Sequence, residues 1–146
     1  MWSKEKKEFD RFDEMLKDVN NPDVFVYVGT DSHSYGNEWL FATVICCHVP
    51  GHGGRIYKKR LKFSKNAFQT LYDRLLHEVY LSIEIAQEIE KLTGKKPQVH
   101  VDIAKQGTKS AKFYSNITSY VLGMGFMVTC KPDSWASSSI ADRYAR

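Results

Sequence analysis

The chain has 146 residues, a length that favours one domain built around a single hydrophobic core. Hydrophobic residues make up 42% of it and charged residues 26%, which is typical of a folded globular protein and excludes a disordered, collagen-like or coiled-coil chain. The net charge of +4 is compatible with an anionic partner but is too small to identify one.

The sequence predicts neither a signal peptide nor a membrane span. Its longest nearly apolar stretch, Trp39 to Cys47, is about half of the roughly 20 residues that cross a bilayer. Three cysteines cannot form a complete set of disulfides, so a reducing compartment is the simpler interpretation. We therefore expect a cytoplasmic protein.

The N-terminal region predicts an amphipathic helix over residues 3–19, in which Phe9, Phe12 and Leu16 recur at helical spacing. Asn20, Asn21 and Pro22 end it. We expect residues 1–22 to form an N-terminal helical extension and residues 23–146 to form the main domain. The apolar face of this helix must cover something, and a second copy of the chain is one candidate, which would make the protein a homodimer.

The rest of the chain alternates between strand and helix patterns. Strands are predicted at residues 24–28, 39–48, 55–63, 98–103 and 126–130, and helices at 66–92, 109–122 and 134–146. Ser64 is the expected N-cap of the long helix and Gly94 its C-terminal end. Lys58, Arg60 and Lys62 share one face of the third strand, as in strands that protect an exposed sheet edge.

This order of elements predicts an α/β fold. Three consecutive strands form an antiparallel meander, and each later crossover through a helix adds a parallel strand. We therefore expect a mixed five-stranded sheet with helices on both faces.

Four acidic residues occupy positions where a solvated charge is unexpected. Asp31 follows the most hydrophobic strand, and Asp102 lies within the strand Val99 to Ile103. Glu78 falls in the apolar stripe of the long helix, and Asp142 lies on the last helix. Taken singly, each is also explained as a cap, a loop carboxylate or a salt-bridge partner.

A converging set of carboxylates repels itself unless a cation is bound. Oxygen ligands favour Mg²⁺ or Mn²⁺ over Zn²⁺. Two such ions about 3.5 to 4 Å apart can promote phosphoryl transfer. The four acids therefore predict a site for divalent metal.

The order of elements and acids resembles the ribonuclease H-like superfamily, which includes RuvC-type resolvases. Four motifs more specifically resemble its YkuK-type branch of predicted nucleases. These motifs are Val26-Tyr-Val-Gly-Thr-Asp-Ser-His33, Arg74-Leu-Leu-His-Glu-Val79 with Ser82, Val99-His-Val-Asp-Ile103, and Lys131-Pro-Asp-Ser-Trp-Ala136 followed by Ala141-Asp142. The resemblance extends from about residue 24 to residue 146.

The resemblance implies a ribonuclease H-like fold and an enzyme that hydrolyses nucleic acid with two Mg²⁺ or Mn²⁺ ions. It implies that Asp31 and Asp102 bridge or ligate the metals, that Glu78 completes the site from the helix, and that Asp142 holds the second ion. Glu84 and Asp133 are the competing acidic positions. Glu84 falls off the apolar stripe, and Asp133 is well placed to cap the last helix.

Other polar residues are weaker candidates. His33, two residues after Asp31, is a candidate proton carrier or substrate contact. Lys105, Lys109 and Lys131 follow strands that end near the acids and could attract phosphate, although solvated lysine is the commoner case. Cysteines and histidines also cluster at positions 46–52, but their spacing matches no zinc motif.

Two further functions compete with a nuclease. The chain could be a catalytically silent ribonuclease H-like module that binds nucleic acid or protein, because a fold does not guarantee its chemistry. An actin-like nucleotide-binding fold is suggested by Gly29-Thr-Asp-Ser32, but it needs two duplicated halves and this chain has room for one. The sequence does not distinguish RNA, DNA, hybrid or junction as the substrate.

Overall fold

The computed structural model describes residues 9–146, except for the side chain of Ser137. Residues 3–8 of the predicted N-terminal helix lie outside this range. The strands are β1 (Phe25–Tyr35), β2 (Glu38–Val49), β3 (Gly53–Ser64), β4 (Gln98–Ala104) and β5 (Val128–Lys131). The α-helices are α1 (Phe12–Val19), α2 (Leu71–Thr93), α3 (Tyr114–Gly123) and α4 (Asp142–Ala145).

Three shorter helical segments complete the chain. Two are 3₁₀ turns, at Lys65–Ala67 and Lys109–Phe113. The third is a π-helical segment, Ala136–Ala141, that continues directly into α4. We call residues 136–145 the closing helix.

The five strands form one mixed sheet in the order β3-β2-β1-β4-β5. Strands β1, β2 and β3 pair antiparallel as a meander, and β4 pairs parallel with both β1 and β5. The predicted fold class is therefore confirmed, and β3 is an edge strand as its pattern of lysines indicated.

Helices cover both faces of this sheet. On one face, the apolar side of α2 packs against the sheet together with α1 at one end and α3 at the other. On the opposite face, the closing helix packs Ala136 and Ala141 against Val44 and Cys46 of β2. The closing helix therefore separates part of that face from solvent.

Helix α1 belongs to the chain's own core. Met15 and Val19 are fully buried, and they share one hydrophobic cluster with Val28 and Ile45 of the sheet. Phe12 packs against the same cluster. The apolar face of α1 thus covers the sheet of its own chain and needs no second copy to cover it.

The long helix starts later than the sequence predicts. Ser64 caps the short turn Lys65–Ala67 instead of the helix, and Thr70 caps α2 by accepting a hydrogen bond from the backbone N–H of Asp73 at 3.1 Å. The predicted end is confirmed. Gly94 adopts φ +78° and donates its N–H to the carbonyl of Glu90 at 2.8 Å, a conformation that glycine takes at little cost.

Two other elements differ from their predicted form. Strand β1 continues to Tyr35, so Asp31 lies within the strand, where the sequence predicted that it would follow the strand's end. The predicted helix at 109–122 begins as a 3₁₀ turn and becomes α-helical at Tyr114.

The adjacent cysteines Cys46 and Cys47 are both buried and unpaired, and they point to opposite faces of β2. Cys46 lies under the closing helix, and Cys47 lies in the cluster that contains α1. This separation excludes a shared zinc site for the two thiols. No helix within residues 9–146 is long and apolar enough to span a membrane.

Candidate metal centre

Strands β1 and β4 diverge just where the acidic residues occur. They pair over Tyr27–Gly29 and Gln98–His100, and beyond these pairs β1 continues with β2 while β4 continues with β5. In α/β proteins, ligands bind in the crevice that opens where neighbouring parallel strands lead to opposite sides of the sheet. Asp31 and Asp102 each lie two residues beyond the last β1–β4 pair. They therefore face each other across this crevice.

Asp31 and Asp142 come together around one imidazole. His33 Nε2 lies 3.3 Å from Asp31 Oδ2 and 2.6 Å from Asp142 Oδ1. Asp31 and His33 share a strand face because they are two residues apart, and Asp142 reaches them from the start of α4. His33 keeps 37% of its side chain exposed, whereas Asp31 is buried. The imidazole thus links a buried acid to solvent.

Glu78 approaches from the other face of the sheet, on α2. It is buried, and Ser32 Oγ donates a hydrogen bond to Glu78 Oε2 at 2.5 Å. Arg74, one turn earlier on the helix, lies 3.7 Å from the same carboxylate and donates to Ser32 Oγ at 2.8 Å. The guanidinium of Arg74 also lies over the ring of Trp39, 4.3 Å from its centroid. Trp39 and Ser32 therefore hold Arg74 beside Glu78.

Asp102 has a cation and a hydroxyl as partners. Lys131 Nζ lies 3.0 Å from Asp102 Oδ1, and Ser138 Oγ donates a hydrogen bond to the same oxygen at 2.8 Å. Lys131 ends β5, the strand next to β4, and Ser138 lies one turn before Asp142 on the closing helix. The closing helix thus supplies Asp142 as a candidate metal ligand and Ser138 as the hydroxyl that orients Asp102.

The pKa values show that these carboxylates interact. Burial, together with the negative charge of Asp102 and a hydrogen bond to Asp142, raises the pKa of Asp31 from 3.8 to about 7. Burial and the charge of Asp31 also raise the pKa of Glu78 well above its usual value, against the opposing effects of Ser32 and Arg74. Without a bound cation, both side chains therefore hold their protons to a higher pH than a solvated carboxyl group does.

Asp142 behaves in the opposite way. Burial alone would raise its pKa, but hydrogen bonds with His33, Asp31 and Arg146 lower it below 3.8. Arg146 Nε donates to Asp142 Oδ2 at 3.1 Å. Asp142 is consequently the ionised partner and accepts the hydrogen bond between the two acids, whereas Asp31 keeps its proton.

The donor set suits a hard divalent cation. Within residues 9–146, one group of three such side chains has ligand atoms that all lie within 4.8 Å of one another: Asp31, His33 and Asp142. Carboxylate oxygens are the ligands that Mg²⁺ and Mn²⁺ prefer. A bound cation would also relieve the repulsion that raises the pKa of Asp31. Of the four predicted ligands, Asp31 and Asp142 belong to this group, whereas Glu78 and Asp102 do not. The residues of the group fit a divalent cation.

An open cleft of about 510 Å³ contains all of the predicted site residues except Lys105. Lys109 and Lys131 line it beside the four acids, whereas Lys105 lies exposed in the loop after β4 and does not line the cleft. The competing acids Glu84 and Asp133 are also absent from its lining. Glu84 lies near His77 instead: burial lowers the pKa of His77, and the negative charge of Glu84 partly opposes that effect.

Three supporting residues were not singled out from the sequence as part of the site. Arg74 precedes Glu78 by four residues, a spacing that places the two side chains on one helix face and that could have identified it. Ser138 has the same spacing to Asp142. Trp39 comes from β2 and gave no signal, because its contact with Arg74 depends on how α2 crosses the sheet.

His100 has a structural role. Burial lowers its pKa to about 4, so the ring is neutral, and its Nδ1 accepts a hydrogen bond from the backbone N–H of Ala136 at 3.1 Å. Its ring also packs edge-on against Trp135. His100 therefore fastens the start of the closing helix to β4.

Comparison with known proteins agrees with this geometry. The family model described as Ribonuclease H-like matches residues 8–146, nearly the whole chain. The chain matches none of the curated proteins with which it was compared. The family match confirms the resemblance that the four motifs indicated, and the sheet order and the cleft between β1 and β4 are consistent with it. The chain therefore belongs to the ribonuclease H-like family.

Proposed function

We propose that the protein is a nuclease that depends on a divalent metal and hydrolyses phosphodiester bonds of nucleic acid. One observation carries the proposal. Asp31, Glu78, Asp102 and Asp142 come from four different elements and meet in one cleft, where burial and mutual repulsion raise the pKa of two of them. Perturbed acids in a cleft are typical of sites that bind metal or transfer protons.

The four acids would hold two Mg²⁺ or Mn²⁺ ions, with Asp31 and Asp102 central, Glu78 on the side of α2 and Asp142 on the side of the closing helix. When bound, such ions supply Lewis acidity for the attack of water on a phosphodiester and for departure of the alcohol oxygen. Ser138 and Ser32 keep Asp102 and Glu78 oriented toward the cleft through the hydrogen bonds described above.

The cations around the acids would bind and position the substrate. Lys131 and Lys109 lie in the cleft and can contact phosphate oxygens, and Lys105 lies close along the chain as an outer contact. His33, partly exposed and hydrogen-bonded to Asp142, can carry a proton between the cleft and solvent. We place the protein in the reducing cytoplasm, which suits its three unpaired cysteines.

One observation favours a second candidate, a catalytically silent module that binds nucleic acid or protein. Arg74, Lys131 and Arg146 already form ion pairs with Glu78, Asp102 and Asp142. Such pairs offset part of the negative charge that would otherwise attract metal. A silent module would keep its affinity for a partner when divalent ions are removed.

A cleavage assay separates the two. End-labelled single-stranded RNA, single-stranded DNA, RNA/DNA hybrid and a four-way junction are incubated with Mg²⁺ or Mn²⁺ and wild-type, Asp31→Asn, Asp102→Asn or Asp13→Asn protein. Asp13 is an exposed acid on α1 and serves as the charge-matched control.

The proposal expects cleavage of at least one substrate by wild type and Asp13→Asn, with a loss on the order of 100-fold or more in both site variants. Absence of cleavage on every substrate, together with unchanged binding by the site variants, would establish the silent module instead. Cleavage that survives Asp102→Asn would contradict the assignment of the site.

A further inference from the structure

A pair of basic side chains on β3 lies on the same sheet face as Asp31 and His33. Arg60 Nε donates to the backbone carbonyl of Tyr144 in the closing helix at 2.8 Å, which fixes the face to which Arg60 points. Lys62, two residues later, points to the same face by strand alternation. Both side chains are exposed.

The register of the sheet aligns this pair with the site. Asp31 pairs with Ala42, which pairs with Arg60. His33 pairs with Leu40, which pairs with Lys62. Neighbouring strands lie about 4.8 Å apart, so each cation is two strands, or about 10 Å, from the acidic site. The residues between them, Ala42 and Leu40, are apolar and buried, and the end of the closing helix packs over this part of the sheet.

The opposite flank of the site is also basic. Reading across the sheet from β5 to β3, the polar groups are Lys131, then Asp102, then Asp31 with His33, then Arg60 and Lys62. Arg146, directly after the closing helix, lies beside this row and forms an ion pair with Asp142. The acids thus occupy the middle of a row that has cations at both ends.

Protection of a sheet edge does not account for the whole arrangement. On the other face of β3, Tyr57 and Lys59 are buried and Leu61 and Phe63 are partly buried, so the exposed cations near the site are confined to one face. Lys58, further from the site, lies over the ring of Tyr144 at 4.3 Å. The bond from Arg60 Nε to Tyr144 leaves the two terminal amino groups of this exposed guanidinium able to bind an anion.

We propose that Arg60 and Lys62 form a phosphate-binding surface that guides a single strand of nucleic acid from the acidic cleft, past the end of the closing helix, to the β3 edge. This inference rests on the proposed nuclease function. It assigns the strand's path and names two residues outside the cleft that hold its backbone. We define Arg60 and Lys62 together as the β3 basic pair.

A single strand fits this path better than a duplex. Asp31 and Glu78 are buried at the bottom of the cleft, so a phosphate must descend between the closing helix and α2 to approach them. A duplex behaves as a rod with a persistence length of about 50 nm, and its backbone does not bend into such a cleft without deformation energy. A single strand can enter the cleft and still reach the β3 basic pair.

The test measures binding without turnover. Fluorescein-labelled 20-mers of oligothymidylate and oligouridylate are titrated in EDTA by anisotropy, over a series of salt concentrations. The variants are Arg60→Gln/Lys62→Gln, Lys62→Gln alone, and the charge-preserving Arg60→Lys/Lys62→Arg. Lys17→Gln/Lys91→Gln removes two exposed cations elsewhere and is the matched control. Thermal unfolding of each variant checks its fold.

Loss of two phosphate contacts on a single strand should reduce the slope of log K against log salt by about 1.4. At 0.1 M salt this corresponds to a weakening on the order of 25-fold in the double variant. Lys62→Gln alone should lose about half of that slope change. The charge-preserving variant and the Lys17/Lys91 control should bind nearly as wild type, and a 20-base-pair duplex should bind more weakly than either 20-mer.

The outcomes distinguish this inference from the function on which it rests. If wild type binds and cleaves a single strand but the Arg60/Lys62 variant binds equally well, the β3 basic pair does not hold the strand. The proposed nuclease function is then unaffected. If the Lys17/Lys91 control weakens binding as much, the effect is one of net charge and the assigned path is wrong. If wild type binds no 20-mer but cleaves the hybrid or the junction, the single-strand path is wrong and the nuclease stands. If wild type binds no 20-mer and cleaves no substrate, both proposals fail.

Discussion

Replacing Asp31 by Asn should change how the stability of the protein depends on pH. Burial, the charge of Asp102 and the hydrogen bond to Asp142 raise the pKa of Asp31 from 3.8 to about 7 in the folded protein. In the unfolded chain the same carboxyl ionises near pH 4. Between these two pH values the folded state binds the additional proton, so wild type loses stability as pH rises from about 4 through 7.

The size of this loss follows from the two pKa values. Each pKa unit corresponds to 1.36 kcal/mol, so moving one carboxyl from 3.8 to about 7 makes the folded state less stable above pH 7 by about 4 kcal/mol. Asp31→Asn lacks this titration. The variant should therefore match wild type near pH 3.5 and be more stable than wild type at pH 8, by up to about 4 kcal/mol.

Urea denaturation of both proteins in EDTA, at pH values from 3.5 to 8, measures the difference directly. Asp13→Asn provides the control, because Asp13 is exposed on α1. The difference in unfolding free energy between wild type and Asp31→Asn should grow steadily between pH 4 and 7 and then level off. Parallel stability curves for the two proteins over this range would refute the placement of Asp31 as a buried acid beside Asp102.

Three other substitutions test separate parts of the structure. Met15→Ala should lower the free energy of unfolding by about 2 to 5 kcal/mol, because Met15 is fully buried beneath the sheet. Lys17→Ala, at an exposed position of the same helix, should have little effect. Equal effects of the two variants in urea denaturation would place α1 outside the core. Thr70→Ala should lower the free energy of unfolding by about 1 kcal/mol, because it removes the N-cap of α2. If Ser64→Ala has this effect and Thr70→Ala does not, the assigned start of α2 is wrong. His33→Gln should weaken Mn²⁺ binding more than Mg²⁺ binding in calorimetric titrations, because transition metals accept imidazole nitrogen more readily than Mg²⁺ does. An equal loss of affinity for both ions would contradict direct coordination by His33.

Hydrophobic patterning was sufficient for the order and type of the elements, because each strand and helix buries a regular apolar face. It failed at β1, where Thr30 to Ser34 are mostly polar and resemble a loop. They remain in the strand because β2 pairs with β1 along its full length and Trp39 to Leu40 lie opposite its final residues. Pairing with a neighbouring strand is a tertiary effect that local sequence does not report.

The same extension of β1 explains what could be predicted of the site. Asp31 and Asp102 were identifiable as acids on a sheet, and Glu78 as a carboxylate in an apolar stripe. The bridge through His33 was not, because it requires β1 to continue two residues past Asp31 so that both side chains share one face. The acidic residues that share the cleft could therefore be named from the sequence, whereas the contacts between them could not.

The closing helix shows a second limit. A period of 3.6 residues predicted a helix from 134 to 146, but the chain winds more widely over Ala136–Ala141 before α4 begins. Such π-helical segments occur often at functional sites. This one places both Ser138 and Asp142 toward the sheet, where they contact Asp102 and His33. Apolar periodicity alone carries no signal for that change of winding.

Cys46 and Cys47 are buried on opposite faces of β2, so their reaction with thiol reagents can report the opening of the two layers that cover the sheet. Burial raises the pKa of each thiol to about 12, so neither forms an appreciable amount of the thiolate that reacts with alkylating or disulfide reagents. Cys130 is only partly buried and should react first. Reaction of Cys46 then measures how often the closing helix is released from β2, and reaction of Cys47 measures release of the layer that contains α1. Equal rates for the two thiols would mean that both layers open together, whereas different rates would show that one layer opens by itself under native conditions.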